Sequence, residues 1–323
     1  MKNTSILILV TILFNFLAKA QELNIPNNHL ADNQYLMSSA FAGIGDCFQV
    51  RASGLQQWLG IENAPNTQSI SIDGRLTDNI GLGSILFNDS NGLTKHRGGK
   101  LSYAHHLTLN PYTKQYLSFG VSYRLSQFVI ETSEFNQEAV ANVNGVNETN
   151  HNMDLSMLFR YHRWFFNINA DNLLSKSISA FNESEPESTR SFSAYTGITF
   201  HNKYANRDIE PSMMYQFYTE DGRSALDFNI KYRKYKEKDY IWLGIASRFF
   251  PDQGFNYGAI TPMFGLNTKQ FYVSYGLQVF LNEFSGIQQA GTHMLSVGFD
   301  FKCIPSNCGC TLLNPDEDDF YKF

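Results

Sequence analysis

The fold is decided by the stretch Leu117-Ser118-Phe119-Gly120-Val121-Ser122-Tyr123-Arg124-Leu125-Ser126, in which apolar and mostly small polar residues alternate. Successive side chains of a β-strand point to opposite faces, so this stretch predicts a strand with one apolar and one polar face. The same alternation recurs along residues 226–233 and 292–301. An aromatic-rich face opposite a face of Ser, Gly and Asn is typical of a strand between lipid and a polar lumen.

The composition agrees with a membrane barrel. The chain has 323 residues, of which 17% are charged and 15% aromatic, and its mean hydropathy is −0.28. Soluble domains carry about 25% charged residues, so the charged coat of a water-exposed globule is missing. A soluble two-sheet sandwich would also alternate, but it needs a surface rich in Lys and Glu that these strands lack. After residue 20, no apolar run approaches the roughly 20 residues of a membrane helix.

Counting the alternating stretches gives the architecture. Fourteen strands are expected, at 48–55, 66–76, 79–88, 99–109, 114–129, 152–160, 163–171, 190–201, 208–219, 223–234, 239–249, 254–266, 269–280 and 291–302. Strand ends are placed within a few residues, so counts of about 12 to 16 fit the pattern.

The lengths of the connections predict how the barrel sits in the membrane. The connections after the even-numbered strands are short, whereas 89–98, 130–151 and 172–189 are long. Outer-membrane barrels have short periplasmic turns and longer outer loops. The sequence therefore predicts an all-β, antiparallel transmembrane β-barrel of the Gram-negative outer membrane, with both termini in the periplasm.

The two ends of the chain differ from the barrel. Lys2, an apolar run over residues 6–17 and Ala18-Lys19-Ala20 are typical of a signal peptide, and the run is too short to anchor the chain across a bilayer. We expect a signal peptide at 1–20, an N-terminal periplasmic or plug segment at 21–46, the barrel at 47–303 and a periplasmic acidic tail at 304–323. The net charge is −5, and no basic patch indicates nucleic-acid binding.

Four cysteines in an exported chain indicate disulfides. Cys47 precedes the first strand and Cys303 follows the last, and these strands are neighbours in a closed barrel. A Cys47–Cys303 bond at the seam is therefore predicted. Cys308 and Cys310 leave alternatives open: a bond within the tail, or a link from either to Cys47. Two thiols without a His pair make a poor zinc site, so no metal is expected.

The acidic C-terminal tail offers docking candidates for a periplasmic partner, with a disordered, solvated tail as the alternative. These candidates are Asp318, Asp319, Phe320, Tyr321 and Phe323.

Catalytic constellations were not found in the sequence. His105 and His106 are adjacent, so in a strand they point to opposite faces. The motifs H-E-x-x-H, G-x-S-x-G, the P-loop and Cys-x-x-Cys do not occur. We expect that the protein is not an enzyme and that it binds no cofactor. Gly81 and Gly83 lie inside a predicted strand. Their missing side chains indicate that they avoid crowding on the luminal face or against a neighbouring segment.

One segment is not explained by alternation. Residues 57–68 match the pattern Q-W-x-G-x-x-x-A-P-x-T-Q, which resembles the PorP/SprF family of the type IX secretion and gliding system of Bacteroidetes. Further stretches that resemble the family follow in order: Gln34-Tyr35-Leu36-Met37, Ala42-Gly43, Asn79-Ile80-Gly81-Leu82-Gly83, Asn88-Asp89, Asn172-Leu173-Leu174 and Gly291-Thr292-His293-Met294-Leu295-Ser296. Residues 38–41 depart from the family's N-P-A-Y, and Met294 replaces its Glu.

The resemblance implies an outer-membrane barrel that helps to export and anchor a surface protein or adhesin bearing a C-terminal secretion signal. Its implied partners are that adhesin or its signal domain, periplasmic type IX secretion components and outer-membrane lipid. A passive channel for small solutes is the alternative, and a barrel enzyme is a third reading.

The resemblance also supplies candidate residues for partner binding or loop anchoring: Gln57, Trp58, Gly60, Pro65, Thr67 and Gln68. Trp58 is expected on the first outer loop. There it either meets a partner as a rigid aromatic anchor or packs inside the barrel mouth and holds the loop down.

Overall fold

The computed structural model describes residues 33–130, 147–174, 190–236, 239–268, 270–281 and 291–312. Nearly all of them lie in antiparallel strands. The strands are β1 (Phe48–Gln57), β2 (Asn66–Thr77), β3 (Ile80–Asn91), β4 (Thr94–Asn110), β5 (Gln115–Ile130), β6 (Asn147–Tyr161), β7 (Trp164–Asp171), β8 (Ser191–Ile198), β9 (Phe200–Asn202), β10 (Arg207–Tyr218), β11 (Ser224–Lys236), β12 (Asp239–Phe250), β13 (Asn256–Thr268), β14 (Phe271–Phe280) and β15 (Thr292–Phe301).

The sheet closes on itself. Except for β8 and β9, each strand pairs with the next, and the last strand, β15, pairs with β1 from Phe48↔Phe301 to Gln57↔Thr292. Strands β8 and β9 both pair with β10 and form one strand interrupted at Thr199. The predicted fold is confirmed as a closed antiparallel barrel of 14 strands.

The two faces of the wall differ as the alternation predicts. On β5, Ser118 and Ser122 are each 1% exposed, whereas Phe119 and Tyr123 are each 45% exposed. The exposed apolar positions therefore mark the outside of the barrel, and the buried polar positions mark the lumen. This is the arrangement of a membrane barrel with a lipid-facing exterior.

Ion pairs link neighbouring strands on the luminal face. They are Arg51–Asp300 at 2.5 Å, Arg124–Asp154 at 2.9 Å, Arg233–Glu210 at 2.7 Å and Arg248–Asp227 at 2.7 Å. Their burial inside the lumen agrees with the rule that buried charges are paired. The first of them crosses the seam between β1 and β15.

The barrel has two distinct ends. The terminal rim carries the start of β1, the end of β15 and the short turns 78–79, 111–114, 162–163 and 203–206. The loop rim, at the opposite end, carries the connections 58–65, 92–93, 219–223 and 251–255.

The predicted loop at 89–98 is wrong. Strand β3 continues to Asn91 and β4 begins at Thr94, so only a two-residue turn joins them. Gly92 takes φ +59 there, and the Thr94 hydroxyl donates to the Asn91 carbonyl at 2.6 Å. The strands extend beyond the apolar belt, where the alternation that located them has ended. Most of the predicted loops 130–151 and 172–189 lies outside the described residues.

Substitution on the outer face tests the lipid-facing belt. Val121 lies at the centre of the outward apolar row of β5, and Gln127 lies above that row on the same face. We expect Val121→Arg to destabilise the folded barrel by about 2–4 kcal/mol and Gln127→Arg by about 0–1 kcal/mol, because the cost of a charge falls from the bilayer centre to the interface. Urea unfolding in lipid vesicles measures both, and equal losses would contradict the assignment.

Candidate functional site

The lumen holds part of the chain itself. Residues 33–46, called the luminal segment below, precede β1 and lie against the inner faces of β2 to β8. The segment contains two short 3-10 turns, Gln34–Leu36 and Ser39–Phe41. Ala40 and Ala42 are completely buried.

Polar side chains of the wall hold the luminal segment along its length. The contacts join Asn33 Nδ2 to Ser71 Oγ at 3.0 Å, Tyr35 Oη to Ser102 Oγ at 3.0 Å, Ser38 Oγ to Asn167 Nδ2 at 2.9 Å, Ala40 N to Ser156 Oγ at 2.9 Å and Gly43 N to Asp73 Oδ2 at 3.1 Å. Burial raises the pKa of Tyr35 well above its ordinary value, so its hydroxyl is a neutral donor. The inward Ser and Asn positions therefore serve as hydrogen-bond partners for the segment.

An apolar patch of the wall receives the hydrophobic side of the segment. The Phe41 and Phe165 rings meet edge to face with centroids 6.3 Å apart, and Phe165 in turn contacts Tyr195 at 4.9 Å. The buried cluster comprises Met37, Ala40, Phe41, Ile44, Leu158, Phe165, Tyr195 and Met214. Wall and segment thus bury apolar surface together on this part of the luminal face.

Glycines in the wall let the segment approach closely. A Cβ at Gly81 would overlap the carbonyl oxygen of Ala42, and a Cβ at Gly83 would overlap the ring of Tyr35. Gly43 takes φ +75, and its ideal Cβ would lie 2.6 Å from the Cα of Gly81. Backbone therefore packs directly on backbone at this point.

His106 connects the segment to the wall. Its Nε2 lies 3.0 Å from the Ala42 carbonyl oxygen and its Nδ1 lies 2.8 Å from Ser118 Oγ. A carbonyl oxygen only accepts, so Nε2 donates to Ala42, and in the neutral imidazole Nδ1 then accepts from the Ser118 hydroxyl. His105 faces outward beside the Tyr103 hydroxyl at 3.4 Å, so the two histidines point to opposite faces.

The C-terminal residues 303–312, called the cover segment below, cross the barrel mouth at the terminal rim. The Arg160 guanidinium, 5% exposed, donates to the carbonyl oxygens of Cys310 and Leu312. Arg75 donates to the carbonyl oxygen of Ile304. The cover and luminal segments also meet directly, because Gly45 N donates to the Thr311 carbonyl at 2.8 Å.

The four cysteines form two disulfides in the structure. Cys47 is joined to Cys303, and Cys308 is joined to Cys310. The first bond links the residue after the luminal segment to the first residue of the cover segment. Both segments are thus fixed to one point of the seam.

The candidate residues around Trp58 lie at the loop rim but do not converge on one spot. Trp58 N donates to the Gly291 carbonyl at 3.1 Å, which ties the loop to the start of β15. Gln57 is buried, and Gln57 N donates to the Pro65 carbonyl at 2.9 Å. The Thr67 hydroxyl donates to Asp89 at 2.6 Å within the lumen.

The remaining members of that set differ in their surroundings. Gln68 is exposed on the outer face. Gly60 takes φ +90 in the loop and has open space around it. The loop also presents Leu59 and Ile61, which are 54% and 44% exposed.

Other predictions fall beyond the described part of the chain. The signal peptide at 1–20 and the docking candidates Asp318, Asp319, Phe320, Tyr321 and Phe323 lie outside the described residues. Within the described ranges, no helix is both long and apolar enough to cross a bilayer. Among the same residues, no three His, Cys, Asp or Glu side chains are grouped to hold a metal ion.

Sequence reasoning missed the apolar residues that face the lumen. Leu158, Phe165, Tyr195 and Met214 interrupt the expected Ser/Gly/Asn face. One signal was present, since residues 164–166 read Trp-Phe-Phe and alternation cannot send all three outward. The luminal glycines were a second signal, because each marks a close approach.

A closed antiparallel wall with an apolar exterior defines an integral β-barrel membrane protein. The sequence matches the family of type IX secretion system membrane proteins PorP/SprF over residues 18–299. The chain belongs to this family of secretion-system membrane proteins.

Solved structures with a similar barrel share little sequence with the chain. CymD, a monoaromatic hydrocarbon channel, aligns with TM-score 0.48 and 9% identity over 86% of this chain and 92% of its own. The Ralstonia pickettii toluene transporter TbuX gives 0.45 and 11% over 81% and 91%. The KdgM porin gives 0.36 and 10% over 78% and 99%. No curated protein matches the sequence.

A side chain introduced at Gly81 tests the packing of the luminal segment against the barrel wall. Gly81→Val places a side chain where the Ala42 carbonyl lies, so we expect residues 33–46 to leave the wall and exchange their amide hydrogens faster. Gly54→Val is the matched control, because nothing lies within 4 Å of its ideal Cβ. Hydrogen–deuterium exchange of the folded barrel measures both. Unchanged protection in Gly81→Val would contradict the contact.

Removing a guanidinium tests the cover segment. Arg160→Gln loses charge-assisted hydrogen bonds, each worth about 1.5–3 kcal/mol. We expect the amides of residues 304–312 to exchange roughly 10-fold faster or more. Arg207→Gln, at an exposed position of the same rim, is the control and should leave that exchange unchanged. A similar rate in both variants would show that Arg160 does not hold the segment.

Proposed function

We propose that this protein is an outer-membrane barrel of type IX secretion that helps to export a surface protein or adhesin with a C-terminal secretion signal and holds it at the cell surface. Family membership supports the secretion role. The observation that carries the anchoring role is the occupied lumen. A passive channel needs a continuous water path, whereas here the luminal and cover segments fill space along the wall and across one mouth.

The contacts of the luminal segment are those of a permanent part of the folded barrel. Its polar groups have dedicated partners in Ser71, Ser102, Ser156 and Asn167 on four strands. Departure of the segment would exchange these hydrogen bonds for bonds to water, so each of them retains the segment by about 0.5–1.5 kcal/mol. The barrel is therefore better suited to a scaffold than to solute flow, and the passive channel becomes the alternative outcome of the test.

In the proposed orientation the terminal rim faces the periplasm and the loop rim faces the cell exterior. The short turns of the terminal rim support this, since outer-membrane barrels keep short turns on the periplasmic side. Periplasmic type IX secretion components would meet the terminal rim and the acidic tail that follows Leu312. The secreted partner would meet the loop rim.

The loop at 58–65 is the proposed contact for the secreted partner. Leu59 and Ile61 are exposed beside Trp58, which is half-buried. Aromatic residues surrounded by smaller apolar contacts dominate many protein interfaces. The hydrogen bond from Trp58 N to the Gly291 carbonyl fixes the loop backbone. It does not use the indole, which is the group proposed to contact the partner.

Isolation of the native protein from outer membranes tests the proposal. We expect a large secreted protein to co-purify, and the isolated barrel to give no steady conductance in planar bilayers. Recovery of the barrel alone, with a stable single-channel conductance, would instead identify a passive channel.

A Trp58 substitution separates anchoring from folding. We expect Trp58→Ala to leave the folded barrel intact and to reduce surface retention of the co-purifying protein by roughly 30-fold, since interface hot spots are worth about 2 kcal/mol or more. Trp58→Phe is the control and should retain most binding. Loss of the folded barrel on heat-modifiability gels would show that Trp58 serves the loop and not the partner.

A further inference from the structure

A long groove, called the outer groove below, crosses the lipid-facing side of the wall from β4 to β10. Its volume is about 940 Å³, and its outward side chains come from two rows that run across the strands. Residues paired in register lie side by side, so the pairing defines each row. The upper row lies two residues closer to the loop rim and runs from Tyr103 to Phe217. The lower row contains His105, Phe119, Met157, Ile168, Ala194 and Tyr215.

Two alanines form the hollow of the outer groove. In the lower row Ala194 lies between the larger side chains of Ile168 and Tyr215. In the upper row Ala170 lies beside Phe192. The small side chains lower the floor on β7 and β8, while their larger neighbours stand out from the wall on either side.

The outer groove rises from the terminal rim toward the loop rim. At one end His105 pairs with Ile80, the first residue of β3, which directly follows the 78–79 turn of the terminal rim. At the other end Tyr215 lies three residues before Tyr218, where β10 ends at the loop rim. The groove therefore begins near the membrane interface at the terminal rim and runs obliquely across the hydrocarbon layer.

The end near the terminal rim carries a polar pair. The Tyr103 hydroxyl lies 3.4 Å from His105 Nδ1, and within the described part of the chain this is the one hydrogen bond of either side chain. When the hydroxyl donates to Nδ1, the neutral imidazole keeps a proton on Nε2. When Nδ1 donates, the hydroxyl keeps its own proton for another acceptor. In both cases one donor of the pair remains on the outer face.

The dimensions of the outer groove decide what fits it. The groove crosses six strands, and five strand spacings amount to about 24 Å. Its two rows are two residues apart, which is about 7 Å along a strand. An α-helix with its side chains is about 10–12 Å wide, too wide for this floor. A single hydrocarbon chain is long and narrow enough, and the closed sheet offers no edge to a further strand.

We propose that the outer groove binds one acyl chain of a diacyl glycerophospholipid from the leaflet at the terminal rim. The ester carbonyl of that chain accepts a hydrogen bond from the Tyr103–His105 pair, since a carbonyl oxygen only accepts. The chain then extends past Phe119 and over Ala194 and Ala170. Bulk lipid is as apolar as the groove, so the added attraction comes from this hydrogen bond and from closer packing. The site goes beyond the proposed secretion role and does not depend on it.

Three variants separate the groove from the rest of the outer face. Ala194→Phe fills the hollow and leaves the polar pair in place. Ala52→Phe is the matched control, because Ala52 lies on the outer face of β1, where it pairs with Ile70 and Val297 far from the groove. The double variant Tyr103→Phe/His105→Leu removes both donors and leaves the hollow open.

Native mass spectrometry of the full-length barrel in detergent tests the proposal by titration with dioleoylphosphatidylethanolamine. We expect the wild type and Ala52→Phe to bind one lipid with equal affinity. Ala194→Phe should bind it about 10-fold more weakly, because roughly ten carbon–carbon contacts are lost. Heat-modifiability gels confirm that each variant is folded.

The dialkyl ether analogue of the same lipid tests the polar end, because it keeps the chains and the headgroup but lacks the ester carbonyls. The wild type should prefer the diester by about 3-fold or more, as expected for one hydrogen bond. The Tyr103→Phe/His105→Leu variant should bind both lipids equally.

Three results would overturn the proposal. Unchanged binding in Ala194→Phe would place the lipid elsewhere. Equal weakening in Ala194→Phe and Ala52→Phe would show that lipids coat the outer face without using the groove. Equal affinity of the wild type for the diester and the ether would remove the contact with Tyr103 and His105.

Discussion

The whole structure depends on the closure of one sheet. Hydrocarbon offers no partner for backbone N–H and C=O groups, so a sheet in a bilayer cannot keep a free edge. The pairing of β15 with β1 removes that edge. It also brings both ends of the barrel chain to one rim. The luminal segment before β1 and the cover segment after β15 therefore start from the same place in the molecule.

Closure of this many strands creates a second requirement, which is how to occupy the interior. An eight-stranded barrel is narrow enough for wall side chains to fill it, but 14 strands enclose more space. The chain meets this requirement with its own flanks, since the luminal segment lies along β2 to β8 and the cover segment crosses the terminal mouth. The Cys47–Cys303 bond fixes both to the seam from which they start.

Much of the wall could be predicted from the sequence, whereas its contents could not. The period-two pattern locates the strands because lipid and lumen impose different chemistry on alternate residues. That pattern ends with the apolar belt, so the extension of β3 and β4 to Asn91 and Thr94 was missed. The luminal contacts join residues far apart in the chain, as Ser39 and Ser156 do at 2.8 Å. Alternation does not show where a segment packs against the barrel wall. The glycines at 81 and 83 were the sequence signal of that packing.

The stretches that resemble the family prove to be neighbours in space. Tyr35 packs on Gly83, the Ala42 carbonyl packs on Gly81, and Trp58 N bonds to the Gly291 carbonyl. Each contact joins two of the resembling stretches, and each serves the filled lumen or the seam at the loop rim. The residues shared with the family therefore make structural contacts within the barrel. These contacts define a closed, occupied barrel. Under the proposed function, the choice of a secreted partner would depend on residues outside these contacts, such as the exposed Leu59 and Ile61 beside Trp58.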